Sequence, residues 1–394
     1  MLLNFSLAVP GLEGKKIKGK INILHLTYDM GIGGAEQVIR NLVEGTDLAR
    51  FNPAVLCLDN KIGALGIKLK KNGYRVSSMD RKPGLDFNLI KAIRYYVKKN
   101  KIGILHCHQY TPYTYGLLSA LYTNVKVIFT EHGRFYPDRY KWKRVLVNPV
   151  FSLRTSAITS ISNATRDALV KYELMPRKRI EVIYNGLKDL SGLQGDDALL
   201  RQSMGIKEGD LILGTISRLD PIKNQRLMFE AFKEIRNIYR NTKLIIVGDG
   251  PLRGELERQS ELLGIKDCVI FTGFQVDPQK YLGIMDIFLL PSLSEGASMT
   301  LLEAMSFCKP CVVTNAGGNP EIVLDGETGF VTPNCDKEAF IIAIKKLLDN
   351  VSLRKKTGDS GRKRYETHFT LERMVSLYQD LYLKVCRQTG ADPA

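Results

Sequence analysis

Two carboxylates, two cations and a histidine have the types and spacing to handle a charged, hydroxyl-rich ligand. Glu295 and Glu303 lie inside PSLSEGASMTLLEAMSFCKP, which runs from Pro291 to Pro310. On one continuous helix their eight-residue step would set them roughly 80° apart. Gly296 favours a loop for Glu295 instead, and MTLLEAM has the residues of a packed helix. One carboxylate then reaches a ligand from the loop and the other from the first turns of the helix. Ser294 or Ser298 is the candidate cap, and the first helical amides would attract an anion. Arg218 and Lys223 stand five apart in R-L-D-P-I-K-N. Two cations at that interval suit a diphosphate, whose charge they neutralise in a partly dry cleft. His132, in E-H-G, adds a polar group that is neutral or charged near pH 7. Taken singly, pairs such as E-x7-E and R-x4-K are usually solvated surface features, so the elements that position them must decide.

Those elements alternate. INILHL reads as a buried strand, TYDMGIGGAE as a glycine-rich turn and EQVIRNLVEG as a helix. Further strands at PAVLCLD, YRVSSM, IGILHCH and KVIFTEHG are separated by helices, which predicts a doubly wound parallel sheet. Gly33 and Gly34 allow close backbone approach by a ligand or a neighbouring loop. Their G-x-G-G spacing is not the dinucleotide fingerprint. His132 falls at a strand's carboxyl end, where ligands of such sheets bind. His106 and His108 flank Cys107 at strand spacing and share a face; they read as packing or cleft lining, and only faintly as a metal pair. The second half repeats the alternation. LILGTIS leads into Arg218, KLIIVGDGP sets Asp249 and Gly250 at a strand end, and IFLLPSL leads into the Glu295 stretch. CVVTNAGGNPEIV adds a strand and a flexible turn at Gly317–Asn319, and amphipathic helices are expected at 336–350 and 371–386.

With these surroundings the motifs resemble the family 4 glycosyltransferases, retaining nucleotide-sugar-dependent enzymes of the two-Rossmann-domain GT-B architecture. The family pattern reads approximately E-G-F-G-x-x-x-L-E-A-M, and this chain has E-G-A-S-M-T-L-L-E-A-M, with G-G-A-E intact from Gly33 to Glu36. The resemblance implies that Glu295 contacts hydroxyls of the donor sugar, Glu303 holds the ribose, and Arg218 and Lys223 bind the pyrophosphate. It places His132 beside the sugar. Gly33, Gly34, Gly250, Gly296, Ala297, Ser298 and Leu302 complete the implied donor-binding set. Ala297 and Ser298 replace an aromatic residue and a glycine, which bears on the identity of the sugar. Family precedent also implies attack on the face that the diphosphate leaves, and a last helix at about 370–388 that crosses back onto the first domain. The chain has no D-x-D, the usual metal-diphosphate device of the other large glycosyltransferase architecture. No metal or cofactor is therefore expected, and charge neutralisation falls to Arg218, Lys223 and helix amides.

The 394-residue length favours two domains. The expected division is a basic arm at 1–20, a Rossmann-like acceptor domain at 21–188 and a donor domain at 189–369. The net charge of +16 is unevenly spread, with 31 Lys+Arg against 13 Asp+Glu through residue 188 and 26 against 28 after it. That excess predicts an anionic partner for the first half, such as phospholipid headgroups or a lipid-linked pyrophosphate, rather than nucleic acid. RYKWKRVLVNPVFSLR could lie in a headgroup layer or form a core helix with a solvated basic side, and Pro149 argues against one long straight helix. No apolar run approaches the length of a membrane span, and MLLNFSLAVPGL makes a poor signal peptide, so a cytoplasmic protein is expected. The seven cysteines read as free thiols, since Cys308 and Cys311 have no second pair to complete a zinc site. The combined expectation is a retaining, metal-independent transferase. It would move a hexose or N-acetylhexosamine from a nucleoside-diphosphate sugar, UDP before other bases, to a lipid-linked or saccharide acceptor in cell-surface polysaccharide or glycolipid synthesis. A GT-B-like UDP-N-acetylhexosamine epimerase and a non-catalytic nucleotide-sugar or lipid-binding protein are the alternatives.

Overall fold

The computed structural model describes residues 19–133, 140, 142–190, 192 and 196–387, so the basic arm lies almost wholly outside the described residues. Two parallel sheets organise the chain. The first contains β1 (Ile21–Thr27), β2 (Phe51–Cys57), β3 (Arg75–Ser78), β4 (Ile104–His108), β5 (Lys126–Glu131), β6 (Ala157–Ser160) and β7 (Ile180–Val182), in the order β3-β2-β1-β4-β5-β6-β7. The second contains β8 (Leu211–Ile216), β9 (Thr242–Val247), β10 (Val269–Gly273), β11 (Ile287–Leu290), β12 (Cys311–Thr314) and β13 (Gly329–Thr332), in the order β10-β9-β8-β11-β12-β13. This is the α/β architecture of two doubly wound, Rossmann-like domains.

The strands form because short Val, Ile and Leu runs are covered on both faces by helices, as a parallel sheet requires. Every residue of β4 and of β11 is buried. Strand order reverses between β1 and β4 and again between β8 and β11. At such reversals the two flanking loops diverge and leave a crevice beyond the strands' carboxyl ends. The Arg218–Lys223 turn follows β8 and the Glu295 loop follows β11, so the second sheet's crevice is bordered by both motifs.

The helix Leu371–Arg387 returns to the first sheet's helices. Leu187 joins its start through Leu187 N to Phe369 O at 3.0 Å and Leu371 N to Leu187 O at 2.9 Å. Further along, Gln379 Oε1 accepts from Asp47 N at 2.9 Å, and the Tyr382 hydroxyl lies 2.9 Å from His106 Nδ1.

One expectation is overturned by packing. The helix Trp142–Arg154 runs unbroken through Pro149. Asn148 Nδ2 donates to Glu173 O and Oε2 at 2.9 and 3.0 Å, and the Arg144 guanidinium lies 3.7 Å from the centre of the Tyr110 ring. These anchors outweigh the hydrogen bond that proline removes. Among the described residues its outward side carries Trp142, Leu146, Val150 and Leu153, all exposed, together with exposed Arg154.

Candidate active site

The second sheet's crevice brings an acid and a base together from different loops. Lys223 closes a short turn whose start is capped by Asp220, which accepts from Ile222 N at 3.1 Å and Lys223 N at 3.3 Å. Leu293 N donates to Ile222 O at 2.7 Å, tying this turn to the loop after β11. Lys223 Nζ then lies 2.6 Å from Glu295 Oε1, which also accepts from Ser292 Oγ at 2.6 Å. Arg218 is freer. Its side chain is 72% exposed, and its acidic neighbour is Asp220, 3.9 Å from Nε. One cation is thus fixed on a carboxylate, and the other is free to turn toward an anion.

Glu303 sits in the second turn of the helix Met299–Ser306, whose cap is Ser298, accepting from Leu301 N at 3.4 Å. Its Oε1 accepts from Gln279 Nε2 at 3.3 Å, while Oε2 is buried without a partner among the described residues. Burial pushes this carboxyl up to about 7. A buried acceptor left unmatched costs free energy that a hydroxyl-bearing ligand would recover.

The loop 295–298 is pressed against the first domain. A Cβ added at Gly296 would stand 2.5 Å from the His132 carbonyl oxygen and 3.2 Å from Gly133 Cα, so only glycine fits. Asn185 Nδ2 donates to Ala297 O at 3.3 Å, and Met299 Cγ lies 3.9 Å from where a Cβ of Gly34 would be. Gly317, at φ +51°, passes directly over the Glu295 carbonyl, and Gly318 N donates to that oxygen at 3.1 Å. Just beyond, Glu321 clamps the first domain. It accepts from Asn163 N and Ala164 N at 2.7 Å and from Asn163 Nδ2 and Tyr184 OH at 2.8 Å. The seam between the domains is therefore built from the same segment that carries Glu295.

On the first-domain side, four histidines meet. His25 on β1 pairs in register with His106 on β4, and His108 follows two residues on. His25 Nδ1 is 3.0 Å from His108 Nε2, and His108 Nδ1 is 2.8 Å from His132 Nε2. His106 bonds instead to Tyr382 and, through Nε2 at 2.7 Å, to Thr130 Oγ1. Burial lowers all four, His25 to about 3 and His132 to about 4. Ligand atoms of His25, His106 and His108 all lie within 4.8 Å of one another, so these three are the residues that could gather round a metal. All of their nitrogens but His25 Nε2 already serve the bonds above.

Residues 196–364 match the family model described as Glycosyl transferases group 1, and residues 32–189 match Glycosyltransferase Family 4. The chain belongs to the family 4 glycosyltransferases. It is 28% identical over 314 residues to the N-acetyl-alpha-D-glucosaminyl L-malate synthase of Bacillus anthracis, a match that covers 77% of this chain and 81% of that one. It is 26% identical over 387 residues to the UDP-Gal:alpha-D-GlcNAc-diphosphoundecaprenol alpha-1,3-galactosyltransferase of Escherichia coli, covering 94% and 98%. Among solved structures, Anabaena HepE in complex with UDP matches with a TM-score of 0.82 at 20% identity, over 92% of this chain and 100% of that one. The shared fold is GT-B.

Within this family 4 framework the expected residues fall into three groups. Lys223, Glu295, Gly296, Ala297 and Ser298 gather at the seam, and Gly296 brings His132 to them. Glu303 and Arg218 border the same crevice from the helix and from the β8 turn. Gly34 faces Met299 at the seam, and the remainder are packed against the protein itself. Leu302 is fully buried in the apolar core, because its side of the helix faces the sheet, so its side chain offers a ligand nothing. Gly250 is packed on the Leu219 carbonyl, and Gly33 lies under the Glu36 carboxylate, so the close approach at each is to the protein itself. His106 and His108 are wholly buried, so of the two readings, packing and cleft lining, it is packing that holds. Sequence reasoning passed over His25, Ser292, Asn185 and Glu321. For His25 the signal was a polar residue inside the apolar run INILHL. Asn185 and Glu321 carried none, since their partners lie far away in the chain, and Ser292, only three residues before Glu295, reads as an ordinary loop serine.

Proposed function

We propose that this family 4 glycosyltransferase takes its sugar from a UDP-sugar and transfers it, with retention and without a metal, to a lipid-linked acceptor at a membrane surface. The observation that carries the reading is the Lys223–Glu295 pair, held at the seam where the second sheet's strand order reverses. Lys223 and the exposed charge of Arg218 stabilise the departing diphosphate. Glu295, oriented by Lys223 and Ser292, receives sugar hydroxyls, and Glu303 takes those of the ribose. As the bond from the anomeric carbon to phosphate oxygen breaks, the acceptor oxygen bonds to that carbon from the same face, and its proton passes to a phosphate oxygen. The UDP bound by HepE and the UDP-Gal and diphosphoundecaprenol in the E. coli relative's name support this choice of donor and acceptor.

The membrane part rests on a separate feature. Trp142, Leu146, Val150 and Leu153 recur at helical intervals of four, four and three and are 61–74% exposed. They belong to the half of the chain that holds the positive excess. An exposed apolar stripe within a cationic domain suits an anionic bilayer surface. Among the described residues, no helix is long and apolar enough to cross a membrane.

Incubation with UDP-, GDP- and ADP-sugars, with and without a polyprenyl-diphosphate-linked sugar, tests the activity by mass analysis. Transfer from a UDP-sugar that is lost in Lys223→Ala is the expected result. Release of an epimerised UDP-sugar with no acceptor present would overturn it.

A further inference from the structure

The three histidines that end at the seam form a chain in which each ring constrains the next. His25, His108 and His132 come from β1, β4 and the residue after β5, and are linked by N···N contacts of 3.0 and 2.8 Å. His25 and His108 are buried and His132 is half-buried with its Nδ1 inside, and desolvation keeps all three neutral near pH 7. A neutral imidazole carries one proton. Two of the chain's three protons must occupy the two contacts, because a pair of bare nitrogens at that distance would only repel. The third is left at one end. His108 has both nitrogens engaged, so its single proton forces both contacts to run the same way. Only two arrangements exist. In one, His25 donates to His108, His108 donates to His132, and every ring is protonated at Nδ1. In the other, every ring is protonated at Nε2.

The two free ends distinguish them. His25 Nε2 and His132 Nδ1 are both buried without a partner among the described residues. An orphaned buried N–H is rarer in proteins than an under-used acceptor. His25 is fully buried inside the domain, whereas His132 is only half-buried and its backbone carbonyl adjoins Gly296 at the seam, so His132 is the end nearer to a ligand there. The bare nitrogen therefore belongs at His25 and the proton at His132. We propose that His25 and His108 are positioning residues that hold His132 as its Nδ1–H tautomer, aimed to donate a hydrogen bond to an oxygen of the sugar donor or acceptor. The ligand class rests on the proposed function; the tautomer does not. His106 stands outside the chain, since its nitrogens serve Tyr382 and Thr130.

The chain has only five histidines, so a long-range proton–nitrogen correlation spectrum of histidine-labelled protein at neutral pH can resolve every ring. The expected spectrum shows Nδ1–H at His25, His108 and His132, against the Nε2–H form that free imidazoles prefer. His25→Asn, whose amide keeps a donor where Nδ1 stood, preserves the His132 signal. His25→Phe converts it toward Nε2–H and lowers kcat/KM by about tenfold, the worth of one hydrogen bond to developing charge. Nε2–H at any of the three rings in the unaltered protein, or a His132 signal indifferent to His25→Phe, overturns the proposal. The spectrum is decisive whether or not sugar is transferred, so a failure of transfer would count against the proposed function alone.

Discussion

Lys223 and Glu295, 72 residues apart, hold each other across two loops, with Nζ 2.6 Å from Oε1 and Ser292 Oγ bonded to the same oxygen. The Glu295 side chain is only 8% exposed and that of Lys223 is 23% exposed. Each charge is thus part of what makes the other tolerable in the seam.

Lys223→Ala leaves the Glu295 carboxylate with Ser292 as its remaining partner. Loss of one member of a fully buried pair costs about 3–5 kcal/mol; with water reaching Lys223, about 1–2 kcal/mol is expected in urea unfolding. Adding Glu295→Ala recovers most of that stability, while transfer stays about 100-fold down. A double variant no more stable than Lys223→Ala would refute the coupling.

Glu303 is a buried acid whose folded value, about 7, lies above the unfolded 4.5. Such a group contributes stability that is present in full below the unfolded value and lost as the pH rises through the folded one. Glu303→Gln is therefore expected to stabilise the ligand-free protein at pH 8 by about 2 kcal/mol while weakening donor binding. Ribose hydroxyls favour the carboxylate, so UDP affinity rises by up to about tenfold from pH 6 to pH 8. Coincident unfolding curves at pH 8, or affinity that falls with pH, would contradict this assignment.

The buried histidines make the first domain acid-sensitive. His25, His106, His108 and His132 all titrate below their unfolded value of 6.5, so their contribution is present above that pH and lost as pH falls toward the folded values. Each costs about 1.4 kcal/mol per pH unit below 6.5 until it titrates in the folded state. Denaturant midpoints should drop steeply between pH 6.5 and pH 5, and less steeply in His25→Phe. A flat profile over that range would show that these rings are not buried as described.

Leu146→Glu with Val150→Glu puts two charges on the exposed side of the helix Trp142–Arg154, where both leucine and valine point away from the core. Sedimentation with vesicles containing anionic lipid should fall at least about tenfold, and high salt should release the unaltered protein, as expected for partly electrostatic attachment. Unchanged vesicle binding would remove that helix from the membrane contact.

The two sheets were legible because central parallel strands announce themselves as short apolar runs between helices, as in IFLL before the Glu295 loop and LILGTI before Arg218. The helix Val351–His368 was not, since it is polar on nearly every side and holds Gly358 and Gly361, whose lack of side chains lets it pack on Cys308 and Thr328. β13 and the four-residue helix Asn319–Ile322 are too short to show a period. Within the site, Glu295 and Lys223 were found because each sits at a strand-to-loop boundary that local pattern marks. Their contact, the Glu321 clamp and the His25–His108–His132 chain depend on register between distant strands, which local pattern does not encode. Pro149 misled for a related reason: propensity is local, and Asn148 is anchored by a residue from another helix.

The central claim is that the crevice after β8 and β11 binds a nucleoside diphosphate, with Glu303 on the nucleoside and Arg218 and Lys223 on the phosphates. Calorimetric titration of UDP at pH 8 into the unaltered protein and into Glu303→Ala tests it most directly. Saturable one-to-one binding, weakened at least about tenfold in Glu303→Ala by the loss of its hydroxyl contacts, is predicted, with Arg218→Ala binding UDP nearly as well but turning over poorly. No UDP binding, or equal affinity in Glu303→Ala, would contradict it.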